Sequence, residues 1–268
     1  MPNHWTEINH VWIGGTRAAV ATRRQLVQAM VNDSLAARGT QKLHARTVFD
    51  TNGHGISLNA KDSSFHEALL QADIVHVDGG FLVAASALFC KTRIPERSAT
   101  TDLIHDAAFE AANKGISFYL LGGPDGLAKE AAATLQETYP KLRIAGTHHG
   151  YFSADEERDV IEDINESGAD VVWVGLGKPH EQLFCCRNSA NLSVAWLVTC
   201  GGCFNYITGD YPRAPTWMQR SGFEWLHRMM TNPRQLFWRY LSSNPHALWL
   251  TLRFRGKPAP GTKTPADF

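Results

Sequence analysis

The chain has 268 residues, 44% hydrophobic and 19% charged, which is enough for one large core or for a main domain with a smaller appendage. Its 26 basic and 26 acidic residues cancel, so no global charge argues for nucleic-acid binding. The balance hides an asymmetry: from Arg213 to Arg255 seven arginines face one acid, Glu224, a local +6, and with +1 from the last thirteen residues the first 212 carry −7. A basic end on an acidic body points to an anionic partner for the tail, phosphate groups or acidic lipid.

In chain order, the pattern predicts a helix over 17–37, a strand at "RTVFD" (46–50), a helix over 59–72 and a strand at "IVHVD" (74–78). Helical segments near 81–90 and 101–114 follow, then strand 116–121, helix 126–139, strand 143–146 and helix 154–167. Strands 170–175 and 194–199 flank a helix beginning near His180. Strands separated by helices of this length are βαβ crossovers, hence an α/β fold with a mainly parallel sheet covered on both faces. From about Thr216 only helical pieces remain, expected to break at Pro233 and Pro245. The predicted organisation is a catalytic domain over 1–212, a basic, tryptophan-rich helical appendage over 213–255 and a disordered tail over 256–268.

Ligands of parallel sheets gather beyond the carboxyl ends of the strands, where helix N-termini offer free N–H groups. Several strands here end in unusual chemistry: Asp50, Thr51 and Asn52 in "FDTNGHG", Gly122, Gly123 and Gly126 in "LLGGPDG", and Gly175, Gly177, Pro179, Glu181 and Gln182 in "VGLGKPHEQ". The strand "IVHVD" ends on Asp78, followed at once by Gly79 and Gly80. A carboxylate there is placed to act as a base, with the glycines giving a substrate room to approach; its other reading is a cap for the next helix. No G-x-x-x-x-G-K-[ST], no G-x-G-x-x-G and no Asp-x-Asp occurs. Without the last of these, the charge of a leaving phosphate falls to arginines rather than to a metal.

At these residues the sequence resembles the WecG/TagA/CpsF family of bacterial glycosyltransferases, from about Val11 to Leu250. The matches run in order: Asn52, Asp78-Gly79, "ER" at Arg97 before Asp102, "LLGG", Tyr139-Pro140, "GYF" at 150–152 and "VGLGxP" at 175–179. They continue with "GG-x-F" at 201–204, "RAPxW" at 213–217, "GFEWLHR" at 222–228 and "PRQLFWRY" at 233–240. The resemblance implies a Rossmann-like fold whose helical appendage closes over the site and touches the membrane. It implies inverting, metal-independent transfer from a UDP-sugar to a polyprenyl-diphosphate-linked sugar in exopolysaccharide or other surface-glycan assembly. The enzyme would be peripheral on the inner face of the cytoplasmic membrane, with no cofactor.

By the same resemblance Asp78 is the catalytic base. Asn52, Gly122, Gly123, Gly175, Gly177, Pro179, Glu181 and Gln182 are donor-binding candidates. Thr51, Arg97, Asp102, Arg213, Arg228, Arg234 and Arg239 are candidates for substrate or phosphate contacts. The chain departs from the family where "P-K-Q-E" reads Pro179-His180-Glu181-Gln182 and where a usual threonine is Asp50; Thr100 replaces a glycine and Asn205 an aspartate. These changes bear on which sugar is transferred: N-acetylmannosamine, its uronic acid or glucose. A nucleotide-sugar-binding module without catalysis and a nicotinamide-dependent oxidoreductase are the alternatives.

Other features are read as structural. "CGGC" (200–203) is small-residue packing, Cys185 and Cys186 are buried thiols, and His148 and His149 are expected to point apart along a strand. The start lacks the pattern of a secretory leader, so the five cysteines are expected to be reduced. The longest apolar run, "FLVAASALFC", is half of the roughly 20 residues a membrane span needs. The tryptophans and arginines of the appendage suit an interfacial helix or a packed hairpin, and its apolar face leaves a homo-oligomer open.

Overall fold

The structure, a computed structural model, describes residues 5–38, 44–221, 224–259 and 262. The chain opens with a hairpin, β1 (His10–Ile13) and β2 (Thr16–Ala19), turned by Gly14 and Gly15, both with positive φ. The helix expected from residue 17 therefore starts later. Thr22 caps α1 (Arg23–Ala37) in a reciprocal box with Gln25, while residues 16–19 belong to the hairpin.

After α1 come β3 (Arg46–Thr51), α2 (Gly53–Asn59), α3 (Ser63–Gln71), β4 (Ile74–Val77), α4 (Gly80–Phe89) and α5 (Thr100–Lys114). The helix expected over 59–72 starts later, at Ser63, where Asp62 caps it, and α2 before it was not expected. Next are β5 (Ser117–Gly122), α6 (Leu127–Thr138), β6 (Arg143–His148), α7 (Glu157–Ser167), β7 (Val171–Gly175), α8 (His180–Asn188), β8 (Trp196–Thr199) and α9 (Cys203–Ile207).

The six strands β3 to β8 form one parallel sheet in the order β4-β3-β8-β7-β5-β6. Strands β3, β4, β5 and β8 are buried at every position, as a sheet covered on both faces requires. Alternation along β5 sends Phe118 and Leu120 into the layer with Leu26, Met30, Leu103 and Trp173, and Tyr119 and Leu121 into the opposite layer with Phe65, Ile164 and Phe184. Asp33 anchors α1 to the sheet: its carboxylate accepts from Arg46 at 2.7 Å and from the Trp196 indole N–H at 2.8 Å.

The C-terminal helices are α10 (Thr216–Ser221), α11 (Glu224–Thr231) and α12 (Pro233–Phe254). Pro233 starts α12, but the break expected at Pro245 does not occur. Proline deprives the carbonyl four residues back of its partner, here that of Leu241, a residue on the exposed side of the helix. Beyond it, Ala247 and Leu250 are buried against Ile13 of the hairpin, Ile56 of α2 and Leu82 of α4, and this packing holds the helix together. Among the described residues no helix is long and apolar enough to cross a membrane. Most of the tail expected to be disordered lies outside the described residues; of the part inside, Pro258 bridges Gly15.

Candidate active site

The parallel register sets Thr51 of β3 beside Val77 of β4, and the Asp78 N–H donates to the Thr51 carbonyl at 2.8 Å. Both chains therefore leave the sheet at one height, carrying Asn52 and Asp78 side by side. Asn52 caps α2, its Oδ1 accepting from the Gly55 N–H at 3.1 Å, which turns Nδ2 toward the Asp78 carboxylate, 3.5 Å away. The helix after Asp78 begins with Gly79 at its cap and no side-chain cap bond, so capping does not occupy Asp78. A Cβ on Gly79 would lie 3.3 Å from the Asn52 Cα; the bare glycine lets the two strand ends come together.

Two cavities meet here. One, of about 300 Å³, is walled by Gly79, Gly80, Phe81, Trp225, Leu248 and Arg97 and is mostly apolar. The other, of about 240 Å³, is polar and is walled by Asp50, Gly177, Lys178, Glu181, Gly201 and Thr101. Asn52, His54, Asp78, Arg228 and Tyr240 line both. Burial, then Arg239 and Lys178, push the His54 imidazole down to about 4, so it is neutral at neutral pH.

Under the polar cavity lies a buried charge cluster. Lys178 Nζ is 2.5 Å from Asp50 and 3.7 Å from Glu181. Asp50 also accepts from the Thr199 hydroxyl at 3.2 Å, and Glu181 accepts the Gly177 and Gly201 N–H groups, each at 3.0 Å. Burial would raise the Asp50 carboxyl, but the Lys178 ammonium holds it below the usual carboxylate range. Burial would lower Lys178, and its two carboxylates raise it instead. Glu181, farther from the lysine, is pushed up to about 7 by burial. Asp50 is thus the ionised partner and Glu181 the one that takes up a proton.

A second cluster joins the appendage to the sheet. Glu224 receives Arg97 at 2.6 Å and Arg228 at 2.7 Å, and these guanidiniums overcome the effect of burial to hold its carboxyl low. Arg228 also stacks 4.9 Å over the Tyr206 ring, and Arg239 lies 5.3 Å over that of Tyr240.

Of the residues singled out from sequence, Asn52, Asp78, Gly177, Glu181, Arg97, Arg228 and Arg239 line the cavities. Gly122, Gly123, Gly175, Pro179, Gln182 and Thr51 are close to the same sheet edge but line neither. A Cβ on Gly122 would lie 2.3 Å from the Gly175 carbonyl, so strand packing alone requires that glycine. Arg213 and Asp102 are bonded to each other at 2.7 Å outside the cavities, and Arg234 is exposed on α12. His148 and His149 do not point apart: the chain turns as β6 ends and their rings lie 4.4 Å from each other. Lys178, His54, Glu224 and Tyr240 were not singled out. The available signal for Lys178 was Asp50 itself, an acid within a strand that the sheet buries at every position, since such an acid needs a cation.

The family model described as the glycosyl transferase WecG/TagA/CpsF family matches residues 11–259. The chain belongs to this family. It is therefore a glycosyltransferase. The chain is 30% identical over 199 residues, 74% of its length and 76% of the relative's, to the N-acetylglucosaminyldiphosphoundecaprenol N-acetyl-beta-D-mannosaminyltransferase of Bacillus spizizenii. The protein of the same name from Bacillus subtilis is 29% identical over 185 residues, 69% of this chain and 70% of that one.

The buried cluster yields a stability prediction. Lys178→Met leaves two carboxylates without their cation and should destabilise the fold by about 3–5 kcal/mol in urea unfolding. Adding Asp50→Asn should recover much of that loss; a single variant as stable as the wild type would contradict the ion-pair assignment.

Proposed function

We propose that this glycosyltransferase moves a sugar from a UDP-sugar to a polyprenyl-diphosphate-linked sugar, with inversion at the anomeric carbon, in surface-polysaccharide assembly. The observation that carries this reading is the place of Asp78 at the junction of the polar and the apolar cavity. The polar cavity takes the donor sugar, and the apolar one takes the acceptor sugar and the first part of its lipid-linked diphosphate. The Bacillus relatives, named for transfer of N-acetylmannosamine to N-acetylglucosaminyldiphosphoundecaprenol, support a lipid-linked acceptor.

In the step itself, the acceptor hydroxyl oxygen bonds to the anomeric carbon and its proton passes to the Asp78 carboxylate. The bond from that carbon to the phosphate oxygen breaks, and its electron pair leaves with UDP. Asn52 steadies the carboxylate from the other side. The developing negative charge on UDP is met by Arg228 and Arg239, fixed guanidiniums that need no reorganisation as the bond breaks and that dispense with a divalent metal. Arg97 of the body and Arg213 of the basic segment both reach Asp102, and Arg234 with the exposed Trp238, Leu241, Trp249 and Leu252 of α12 suits an anionic membrane surface. That placement is the inner face of the cytoplasmic membrane.

Asp78→Asn should lower turnover by about 10²–10⁴-fold while UDP binding stays at the wild-type value, read by UDP release and by calorimetry. A variant that turns over normally removes the proposal. For the membrane, flotation with phosphatidylglycerol vesicles should carry the wild-type chain upward at low salt and release it at high salt; equal flotation with neutral vesicles would count against the basic surface.

A further inference from the structure

The floor of the polar cavity also bears on which sugar is transferred. Asp50 of β3 and Glu181 of the first turn of α8, which follows β7, reach in from opposite sides of β8 toward one ammonium, that of Lys178. Asp78 adds a third carboxylate to the same cavity. The lysine is committed to Asp50 and Glu181, so its charge is already balanced before any ligand enters. Arg228 shares Glu224 with Arg97, and Arg228 and Arg239 come from the appendage wall, where the diphosphate needs them.

This arrangement is rich in groups that recognise hydroxyls. Carboxylates accept from them, and the Lys178 ammonium has three N–H groups, one of which goes to Asp50 while Glu181, 3.7 Å away, is in ion-pair range only. Thr101 lines the cavity, is only 6% exposed, and its hydroxyl has no hydrogen-bond partner among the described residues. A buried hydroxyl of this kind awaits a ligand or water. A carboxylate on the incoming sugar, by contrast, would face the Asp50 and Asp78 carboxylates and a glutamate whose own ionisation burial already opposes, while the ammonium on the floor is held by Asp50.

We infer that the transferred group is an uncharged hexosyl or N-acetylhexosaminyl residue, and that Asp50, Lys178 and Glu181 are specificity-determining residues that reject the corresponding hexuronic acid. The inference rests on the reading of this cavity as the donor-sugar site. It separates two of the sugar classes that the sequence leaves open, and it makes the two acids at 50 and 181, with the lysine between them, a single unit rather than independent departures from the family pattern.

The test uses matched donors that differ only at C6, bound to the full-length wild-type protein: UDP-glucose against UDP-glucuronic acid, and UDP-N-acetylmannosamine against UDP-N-acetylmannosaminuronic acid. UDP alone is the reference ligand. In at least one pair the neutral donor should bind no more weakly than UDP, and in that pair the acid should bind at least about tenfold more weakly than its neutral partner. Asp50→Asn, which removes one carboxylate and frees Lys178, should shrink that gap while UDP affinity holds. An acidic donor that equals or beats its neutral partner, with UDP still bound, overturns the inference and leaves the donor reading intact. Failure to bind UDP overturns both. If the variant does not fold, the wild-type ratios still decide.

Discussion

The parallel register between β3 and β4 is the constraint on which the site depends. Because Thr51 lies beside Val77, Asn52 and Asp78 leave the sheet together, and the bonds between Asp78 N–H and Thr51 carbonyl and between Asn52 and Gly55 fix both backbones. Slipping one strand by a residue would turn Asp78 to the other face and separate it from Asn52. The same parallel order brings the ends of β7 and β8 to this edge, where Glu181 ties the glycine turns at Gly177 and Gly201 together through their N–H groups. Catalysis, in this account, is positioned by backbone geometry first and by side-chain chemistry second.

The appendage completes the site through charge. Residues 1–212 are net acidic and 213–255 net basic, and the contact between them is specific rather than diffuse: Arg97 from the body and Arg228 from α11 share Glu224. Glu224 is the one acid of that basic segment, and it is buried. It holds two guanidiniums beside the cavities that would otherwise repel each other, so the cations are in place before an anionic substrate arrives. The apolar packing of Ala247 and Leu250 against the hairpin, α2 and α4 fixes the other end of the same lid.

Much of this was legible in the sequence. The alternation of β-branched runs with helical ones foretold the parallel sheet, and acids, amides and glycines at strand ends marked the edge where the cavities lie. What was missed has physical causes. The β1–β2 hairpin was hidden because its strands are four residues each and run straight into a helical pattern. Pro245 was read as a break because local propensity says nothing about the tertiary packing that carries α12 past it. Lys178 and Glu224 were overlooked because a buried ion pair joins residues 128 and 127 positions apart, a distance across which no local pattern reaches. Gly122 shows the converse, a glycine that looked like a ligand cradle and is required by the close approach of a neighbouring strand.

The central claim, that Asp78 stands between donor and acceptor, is tested most directly by a crystal structure with an unhydrolysed UDP-sugar bound. The account predicts the sugar in the polar cavity above Asp50, Lys178 and Glu181, its anomeric carbon turned toward the apolar cavity beside the Asp78 carboxylate, and the diphosphate on Arg228 and Arg239. A sugar lying elsewhere on the sheet edge, with Asp78 out of reach of any hydroxyl poised to attack it, would contradict the account.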